Sequence, residues 1–545
     1  MVSPSRNRFE PSIKNLDHLG LVAGMCRELG IAEHLDAAVP EKTQKHHISH
    51  GQALVAMIIN GLGFTSRALH LVPTFFKDKP TERLIGPGVL PEHLNDDALG
   101  RCLDALFATG VSEIYQNLAE QVISRLGLKG DCVHLDTTSI HVDGKYSYDE
   151  TDEGTQRIQL VKGYSRDHRP DLNQVILQLI SESQAGIPVY MQALSGNTND
   201  QDSFHNLVSS HLDSLKAAQR CQYVIADSAL FVAKTIRSLD EQNRLFISRA
   251  PMKIAAVKAL VQAYQVQELT TMKNGYRGIW HDQEYAGVKQ KWLLLFSEPA
   301  FLRESRTLNK NRLKSTEESI KRFNKLCQQS FACAKDAEKA LAAFEAQEKY
   351  TLIHNPIVQE QPVYAGRGRP QRGQPPSRID YYLSGQISTD LSAVEKARDE
   401  LGFFVLATND CSGELDMESM LAHYKSQQSV ERGFRFLKSP DFMVSSLFLK
   451  KPERIEALLM VMTCSLMIYA ALEHRIRMGL QANDDDFPDM KNKPSQRPTV
   501  RWVFQCFSGI HQIIVSELPP LVTGVTEKLW VIIDCLGEQY REIYS

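Results

Sequence analysis

Two aspartates occupy similar positions in two predicted strands. Asp136 lies in the alternating, β-branched segment Cys132–Val142, and Asp227 directly follows the apolar run YVIA. Because open α/β sheets bind ligands at the carboxyl ends of their strands, the two carboxylates could meet at one edge of a sheet. A structural role for each aspartate, as a helix cap or a turn residue, is an equal alternative on this pattern alone.

A third carboxylate lies on a helix predicted over residues 417–438. Its polar face combines side chains spaced three, four, four and three residues apart, namely Tyr424, Gln427, Glu431, Arg435 and Lys438. At about 100° per residue this set falls within an arc of about 80°. The alternative is a solvated face that carries an ordinary Glu–Arg pair one turn apart.

Three carboxylates on two strands and a helix could hold two Mg²⁺ ions. Mg²⁺ prefers oxygen ligands and binds through a small number of protein carboxylates. Two such ions about 4 Å apart stabilise both the attacking and the leaving oxygen in phosphoryl transfer. The Arg and Lys side chains on the same helical face would then hold neighbouring phosphates.

These motifs resemble those of the DDE transposases of bacterial insertion sequences, in the superfamily named after insertion sequence four. The last motif of that family is Y-x2-R-x3-E-x6-K, and this chain has Tyr424-x2-Gln427-x3-Glu431-x6-Lys438. The strands HLDTTS and VIADSAL match the first two acidic motifs. The segments GYSRDHRPDL, SGNTND and FISRAP are also similar to family segments, and the resemblance covers about residues 130–480.

The resemblance implies a ribonuclease-H-like mixed α/β sheet interrupted by an inserted domain. It implies that Asp136, Asp227 and Glu431 bind two Mg²⁺ ions, for which Mn²⁺ would substitute. Tyr424 and Lys438 would contact the end of the element. Gln427 stands where the family has Arg, and Arg435 on the same face could compensate for the missing cation.

Five regions are predicted along the chain. They are a helical N-terminal region that would recognise end DNA (1–130), the first part of the catalytic core (131–250), an inserted domain (251–400), the second part of the core with the Glu431 helix (401–480) and a helical C-terminal region (481–545). The long interval between Asp227 and Glu431 far exceeds what one crossover connection needs, which agrees with an insertion.

Two segments of the predicted insertion are rich in basic residues. Arg367-Gly368-Arg369-Pro370 resembles the core of an AT-hook, in which arginines lie in a narrow A·T minor groove. A flexible surface loop is the alternative for this short match. Residues 301–325 hold eight basic residues against three acidic ones, and they form either a phosphate-binding helix or a solvated charged helix.

The composition sets broad limits. The 545 residues include 62 Lys and Arg against 65 Asp and Glu, with 43% hydrophobic and 23% charged residues. These values are close to the globular average and exclude a wholly disordered chain. The ten cysteines are dispersed and form no CxxC, which argues against a disulfide scaffold or a zinc ribbon. The apolar run at 457–472 is shorter than the roughly 20 residues of a membrane span, so a buried core helix is favoured.

The sequence therefore predicts a transposase that cuts the ends of its insertion sequence and joins them to target DNA. Its partners would be the terminal inverted repeats, the target and a second copy of the chain in a synaptic complex. We expect it in the bacterial cytoplasm, associated with the nucleoid, since no secretory signal is recognisable. The alternatives are a related metal-dependent DNA nuclease and a transposase-derived DNA-binding or regulatory protein without catalysis.

Overall fold

A large mixed β-sheet organises the protein. The computed structural model describes residues 12–39, 46–64, 68–142, 146, 158–163, 169–210, 212, 220–366, 371–427, 433, 435, 438, 449–515 and 518–545. The sheet lies in the middle of the chain, and the helices of both terminal regions pack together beside it.

The N-terminal region is helical after one short strand. Its elements are β1 (Ser12–Asn15), α1 (Leu19–Glu28), α2 (Ile31–Ala38), α3 (His50–Gly61), α4 (Val72–Phe76), α5 (Thr81–Leu84), α6 (Asp96–Thr109) and α7 (Val111–Leu126). Side-chain caps begin two of these helices. Ser49 and Gln52 form a capping box at α3, and Asn95 caps α6 by accepting the backbone N–H of Ala98.

The middle of the chain alternates strands and helices. In order these are β2 (Cys132–Val142), β3 (Asn173–Glu182), β4 (Pro188–Ser195), α8 (Asp200–Ser210), β5 (Tyr223–Ala226), α9 (Ala233–Glu241), β6 (Leu245–Ala250), α10 (Ala255–Ala263), β7 (Thr270–Thr271), β8 (Tyr276–Tyr285) and β9 (Val288–Ser297). The predicted strand at 132–142 is present, and β3 and β4 form an antiparallel hairpin. The short apolar run before Asp227 is a strand buried along its whole length.

The chain then leaves the sheet and returns to it. The elements are α11 (Glu298–Cys327), α12 (Ala334–Glu345), β10 (Thr351–Val363), β11 (Arg378–Thr389), α13 (Leu391–Asp399), β12 (Phe403–Thr408) and α14 (Met417–Ser426). Strands β10 and β11 form a separate two-stranded ribbon, which the sequence pattern does not predict. The ribbon packs on α11 and α12 through a small core around Phe331, Ala337 and Leu383.

Nine strands form the main sheet in the order β4-β3-β2-β5-β6-β12-β9-β8-β7. Strand β5 pairs in parallel with both β2 and β6, and every other neighbouring pair is antiparallel. The hairpin of β8 and β9 therefore extends the main sheet, although its residues lie within the segment 251–400 that the sequence assigns to an insertion.

The C-terminal region contains strands as well as the predicted helices. Its elements are α15 (Pro452–Asn483), α16 (Val500–Cys506), β13 (His511–Ile514), β14 (Leu521–Thr523), α17 (Glu527–Leu536) and α18 (Glu538–Tyr544). Strand β13 pairs with β1 at the other end of the chain and with β14, which gives a three-stranded sheet. The C-terminal region is therefore not wholly helical, because β13 pairs with the remote strand β1 and β14 then adds to β13.

The two terminal regions share one hydrophobic core. Helices α1, α3, α6 and α7 pack with α15, α17 and α18, and the same core reaches one face of β3 and β4. Helix α15 is long and apolar enough to cross a membrane, but 89% of its most apolar window is buried inside the protein. This burial confirms the interpretation of the run at 457–472 as a core helix.

Candidate active site

The two predicted aspartates are carried by a pair of neighbouring strands. Strands β2 and β5 run in parallel with Leu135 opposite Ala226. The next residue is Asp136 within β2 and Asp227 directly after the end of β5. Neighbouring strands are about 4.8 Å apart, and residues in the same register point to the same face of a sheet. The sheet therefore brings the two carboxylates together, as their positions in the sequence predict.

Local hydrogen bonds orient both aspartates. Asp136 is 7% exposed, and its Oδ1 accepts the backbone N–H of Thr137 at 2.8 Å. Oδ1 of Asp227 accepts the backbone N–H of Ala229 at 2.9 Å, and its backbone carbonyl accepts the Ser248 hydroxyl at 2.8 Å. These bonds hold the carboxylate of Asp136 on β2 and that of Asp227 against the turn that follows β5.

Helix α14 covers the sheet next to the aspartates. Met420 and Leu421 of the helix pack on Tyr223, Ile225 and Ile247 of the sheet. Ile225 lies two residues before Asp227, so by strand alternation this is the face on which both aspartates lie. The Asp416 side chain caps the helix by accepting the backbone N–H of Ser419. The predicted helix therefore packs against the predicted strands.

Two side-chain contacts tie α14 to β2. Ser426 donates its hydroxyl proton to the His423 carbonyl at 2.7 Å, so Nε2 of His134 is the donor in its 2.9 Å contact with the Ser426 hydroxyl. Burial lowers the pKa of His134 to about 4 and raises the pKa of Cys132 to about 12. The Cys132 thiol is therefore protonated, and its Sγ contacts Nδ1 of His423 at 3.1 Å. The sequence shows His134 beside Asp136 but not its partner Ser426.

The structure describes the first part of the helix predicted over 417–438. Helix α14 ends at Ser426, where the Gln427 N–H bonds to the Tyr424 carbonyl in the tighter i to i−3 pattern. Tyr424 is half-buried and Gln427 is only 6% exposed, whereas Arg435 is exposed and Lys438 is half-buried. Between Gln427 and Leu449 the structure describes Gly433, Arg435 and Lys438, of which the first two are helical, so the single helical face through all five residues stays a prediction.

Three predicted site residues lie outside the described part of the chain. They are Glu431, Arg367 and Arg369. Described residues on either side of Glu431 do have contacts. Gln427 follows the end of α14, and a Cβ added to Gly433 would lie 3.1 Å from the side chain of Leu466 on α15. The chain thus passes from the helix over the aspartate face to the central core helix.

A further carboxylate near Asp136 does not stand out in the sequence. Asp200, the first residue of α8, accepts a hydrogen bond from the Thr137 hydroxyl at 2.9 Å. The segment SGNTND that ends in Asp200 resembles the family, but nothing in its pattern places this carboxylate beside the strand that carries Asp136. The contact fixes Thr137 on the opposite side of the strand and so supports the position of Asp136.

The chemistry available at this edge is that of hard oxygen ligands. Within the described ranges, no group of three or more His, Cys, Asp or Glu side chains has the geometry of a metal site. The paired aspartates supply two carboxylates, which are the ligands that Mg²⁺ prefers. A complete site would need a further oxygen ligand beyond these two.

The sequence matches two family models. The Transposase DDE domain model matches residues 128–468, which include the main sheet, α14 and the start of α15. A domain of unknown function, DUF4277, matches residues 11–120 in the N-terminal region. The first match covers more than half of the chain, so the protein belongs to the family of transposases with a DDE domain.

Membership of this family makes the protein a DNA transposase, and the family generally uses divalent metal ions. Among solved structures, the chain is similar to the piggyBac transposase in a cryo-EM synaptic complex with hairpin DNA. The identity is 8%, the TM-score is 0.38, and the similarity covers 92% of this chain and 82% of that chain. No curated protein matches the sequence significantly.

Proposed function

We propose that the protein cleaves the ends of its own insertion sequence and joins the freed 3′-OH to target DNA. The observation that carries this proposal is the register of Asp136 and Asp227 on adjacent parallel strands, under a helix that leads to Glu431. In the first step a water oxygen attacks the end phosphodiester and the P–O3′ bond breaks. In the second step the released 3′-OH attacks a target phosphodiester and displaces another 3′-OH.

A ribonuclease-H-like core is the proposed fold of the catalytic region. Supporting it are five neighbouring strands, β4-β3-β2-β5-β6, in which the first three are antiparallel and the last three are parallel. The proposed insertion comprises α11, α12, the β10–β11 ribbon and α13, all between β9 and β12 of the main sheet. The region before β2 would form the end-binding part of the molecule.

Glu431 is proposed as the third carboxylate on grounds of chain direction. His423 contacts Cys132 and Ser426 contacts His134, so α14 and β2 run in the same direction. Asp136 lies two residues beyond His134, about 6.6 Å of strand. Glu431 lies five residues beyond Ser426, which would be about 7.5 Å at a helical rise. Because these two distances are nearly equal, Glu431 would lie at about the same position along the direction of β2 as Asp136.

Asp136, Asp227 and Glu431 would hold two Mg²⁺ ions, with Mn²⁺ as a substitute. The bound ions would supply the charge that stabilises the attacking and leaving oxygens of an in-line displacement. The fit rests on the donor set, since two carboxylates in register are hard oxygen ligands that share one face of the sheet.

Other side chains would hold the DNA. Arg435 and Lys438 would supply cations for phosphates beside the carboxylates, with Tyr424 on α14 and Gln427 directly after it. Arg367 and Arg369, between β10 and β11 in the sequence, would enter an A·T minor groove. We further propose that the protein belongs to the insertion-sequence-four superfamily with Gln427 as a variant of its motif, and that it acts as a homodimer on the bacterial nucleoid.

The test is a cleavage and strand-transfer assay on DNA that carries the gene's native flanks, with Mg²⁺ or Mn²⁺. Asp136→Asn, Asp227→Asn and Glu431→Gln are each expected to abolish both reactions while DNA binding persists. Matched controls are Asp282→Asn and Glu284→Gln, which remove exposed carboxylates from β8 and should retain activity.

Each alternative has its own outcome in this assay. End cleavage without joining would favour a nuclease, and binding without cleavage in the wild type would favour a regulatory protein. Cleavage that survives in any of the three variants would remove that residue from the site.

A further inference from the structure

The longest exposed helix of the proposed insertion carries a row of cations. Helix α11 has 30 residues and leads from the main sheet to the ribbon. Six basic side chains follow one another at intervals of three, four, four, seven and four residues, and all are exposed: Arg303, Arg306, Lys310, Lys314, Lys321 and Lys325. At about 100° per residue they fall within an arc of about 100°. We call this set the basic stripe.

Contacts at both ends of the helix fix which side faces the protein. Near the start, the Phe301 ring lies 5.9 Å from that of Phe296, and Glu304 accepts the Gly402 N–H at 2.8 Å. Near the end, Phe323 is buried with its ring 5.5 Å from that of Phe344.

These contacts place the basic stripe on the outer side of the helix. The half-buried Leu308, Arg312 and Ser315 lie on the same side of the helix as these contacting residues. The arc that all of them occupy is centred about 160° from the centre of the basic stripe.

The charges on the stripe are not neutralised by neighbouring side chains. Within the described residues, none of the six cations forms an ion pair, whereas Arg322, on a different side of the helix, pairs with Glu348 at 2.7 Å. Glu317 is the one carboxylate within the arc of the stripe. Six cations and one anion therefore face outward along a single line.

The length of the stripe matches a DNA duplex. From Arg303 to Lys325 the helix rises about 33 Å, and one turn of B-DNA is about 34–36 Å. Duplex DNA presents one negative charge for about every 1.7 Å of its axis, and exposed Lys and Arg side chains bind phosphates without reading sequence. Charge and length together fit a DNA backbone as the occupant.

We propose that the basic stripe of α11 binds the phosphate backbone of duplex DNA independently of sequence. The proposal rests on the proposed function, because it assumes that DNA is the substrate of the adjacent main sheet. In this proposal, α11 binds the part of the DNA that extends beyond the base pairs at the active site. The stripe thus contributes affinity, and sequence recognition belongs to other parts of the protein.

The experiment measures binding of the full-length protein to two duplexes several helical turns long, over a range of salt concentrations. One duplex carries the element's end and the other has a random sequence. The test variant combines Arg306→Gln, Lys310→Gln and Lys314→Gln, since Gln retains helix propensity. We expect both duplexes to lose about tenfold or more in affinity, and the slope of log K against log salt to become shallower by about two to three.

Two further variants make the test more specific. One removes three cations elsewhere in the protein, and the other removes a negative charge from the basic stripe. The control combines Lys491→Gln, Lys493→Gln and Arg497→Gln, three exposed cations on the loop after α15, and should retain the wild-type slope. Glu317→Gln removes the carboxylate from the stripe and should tighten binding and steepen the slope. Glu338→Gln on α12 is its control.

The outcomes separate this proposal from the proposed function. An unchanged salt slope in the triple variant, or a loss confined to the end duplex, would overturn the role of the stripe. End cleavage by the wild type is scored in parallel, and its absence would count against the proposed function alone. At saturating protein and low salt, the triple variant should still cleave, since its substitutions lie away from the paired aspartates.

Discussion

Burial decides the protonation state of two histidines in this protein. His134 and His18 both have a pKa lowered to about 4, because each ring is removed from water. His18 is surrounded by the N-terminal core, where its Nε2 contacts the Leu62 carbonyl at 2.9 Å and its ring stacks on Phe504 at 4.4 Å. A neutral His18 therefore joins α1, α3 and α16.

The stability of the protein should depend on pH through His18. Its pKa of about 4 in the folded protein lies below the ordinary histidine value of 6.5, so the unfolded chain takes up a proton first as the pH falls. The contribution of the neutral His18 to the free energy of unfolding is complete above about pH 6.5 and is lost as the pH falls towards 4. Between pH 7 and pH 5 we expect His18 to lower the free energy of unfolding by about 2 kcal/mol. Urea denaturation at the two pH values measures this loss.

His18→Gln is the informative variant because Gln does not titrate and can still donate to the Leu62 carbonyl. Its unfolding free energy should fall by about 2 kcal/mol less than that of the wild type between pH 7 and pH 5. His354→Gln, at an exposed histidine of the ribbon, is the control. Equal pH dependence in the wild type and His18→Gln would contradict this role of His18.

At the scale of secondary-structure elements, the candidate site depends on how α14 packs on the main sheet. The helix is held by apolar contacts and by two polar links, Ser426 to His134 and His423 to Cys132. These links lie five or more residues from Glu431 in the sequence. They would therefore set the position of the third carboxylate without contacting DNA, so Ser426 is a positioning residue.

Ser426→Ala should weaken this docking. The substitution leaves the buried Nε2–H of His134 without its acceptor, which costs about 1–3 kcal/mol in unfolding free energy. End cleavage should fall while the dissociation constant for DNA stays near the wild-type value, because the change affects position and not contact. Ser392→Ala, at an exposed serine of α13, is the matched control. Full cleavage activity in Ser426→Ala would show that the contact does not position the helix.

The sequence predicts local elements better than it predicts their partners. Strand β2 has the bounds that its alternation of β-branched residues indicates, and the register that joins Asp136 to Asp227 follows from two strands of the same sheet. The β10–β11 ribbon was missed because polar residues, Pro356 and Pro362 interrupt its pattern, and its order comes from pairing. Likewise, no local signal in α14 indicates that Ser426 meets His134.

At the scale of the whole molecule, the two ends of the chain form one structural unit. Tyr544 donates its hydroxyl to the Asp17 carbonyl at 2.7 Å and accepts the Leu21 N–H at 3.1 Å. A Cβ added to Gly24 would lie 2.5 Å from the Tyr540 ring, so α1 and α18 approach closely. The N-terminal helices therefore do not form a complete core without the C-terminal ones.

Removal of residues 527–545 should unfold α1 as well as the deleted helices' neighbours. Tyr540→Ala is the milder version and should cost about 3–5 kcal/mol, since it removes a buried aromatic side chain. Hydrogen exchange resolved along the chain is the measurement, with faster exchange expected in α1 and little change in β5. Protection of α1 in the truncated chain would refute the shared core.

Replacing the ribbon residues 351–389 by a short Gly-Ser linker is the control for the truncation. The ribbon packs on its own small cluster, so α1 should keep its protection when the ribbon is removed. A comparable loss of protection in α1 would mean that the exchange reports general destabilisation.

The pairing of β1 with β13 also bears on how the protein is made. A ribosome adds about 5–20 residues per second, so the partner of β1 emerges roughly half a minute or more after β1 itself. During that time the apolar faces of α1 and α3 have no C-terminal helices to cover them. Nascent chains of this transposase are therefore expected to need chaperones, and a message cut short before its last few dozen codons should yield a product that proteases remove.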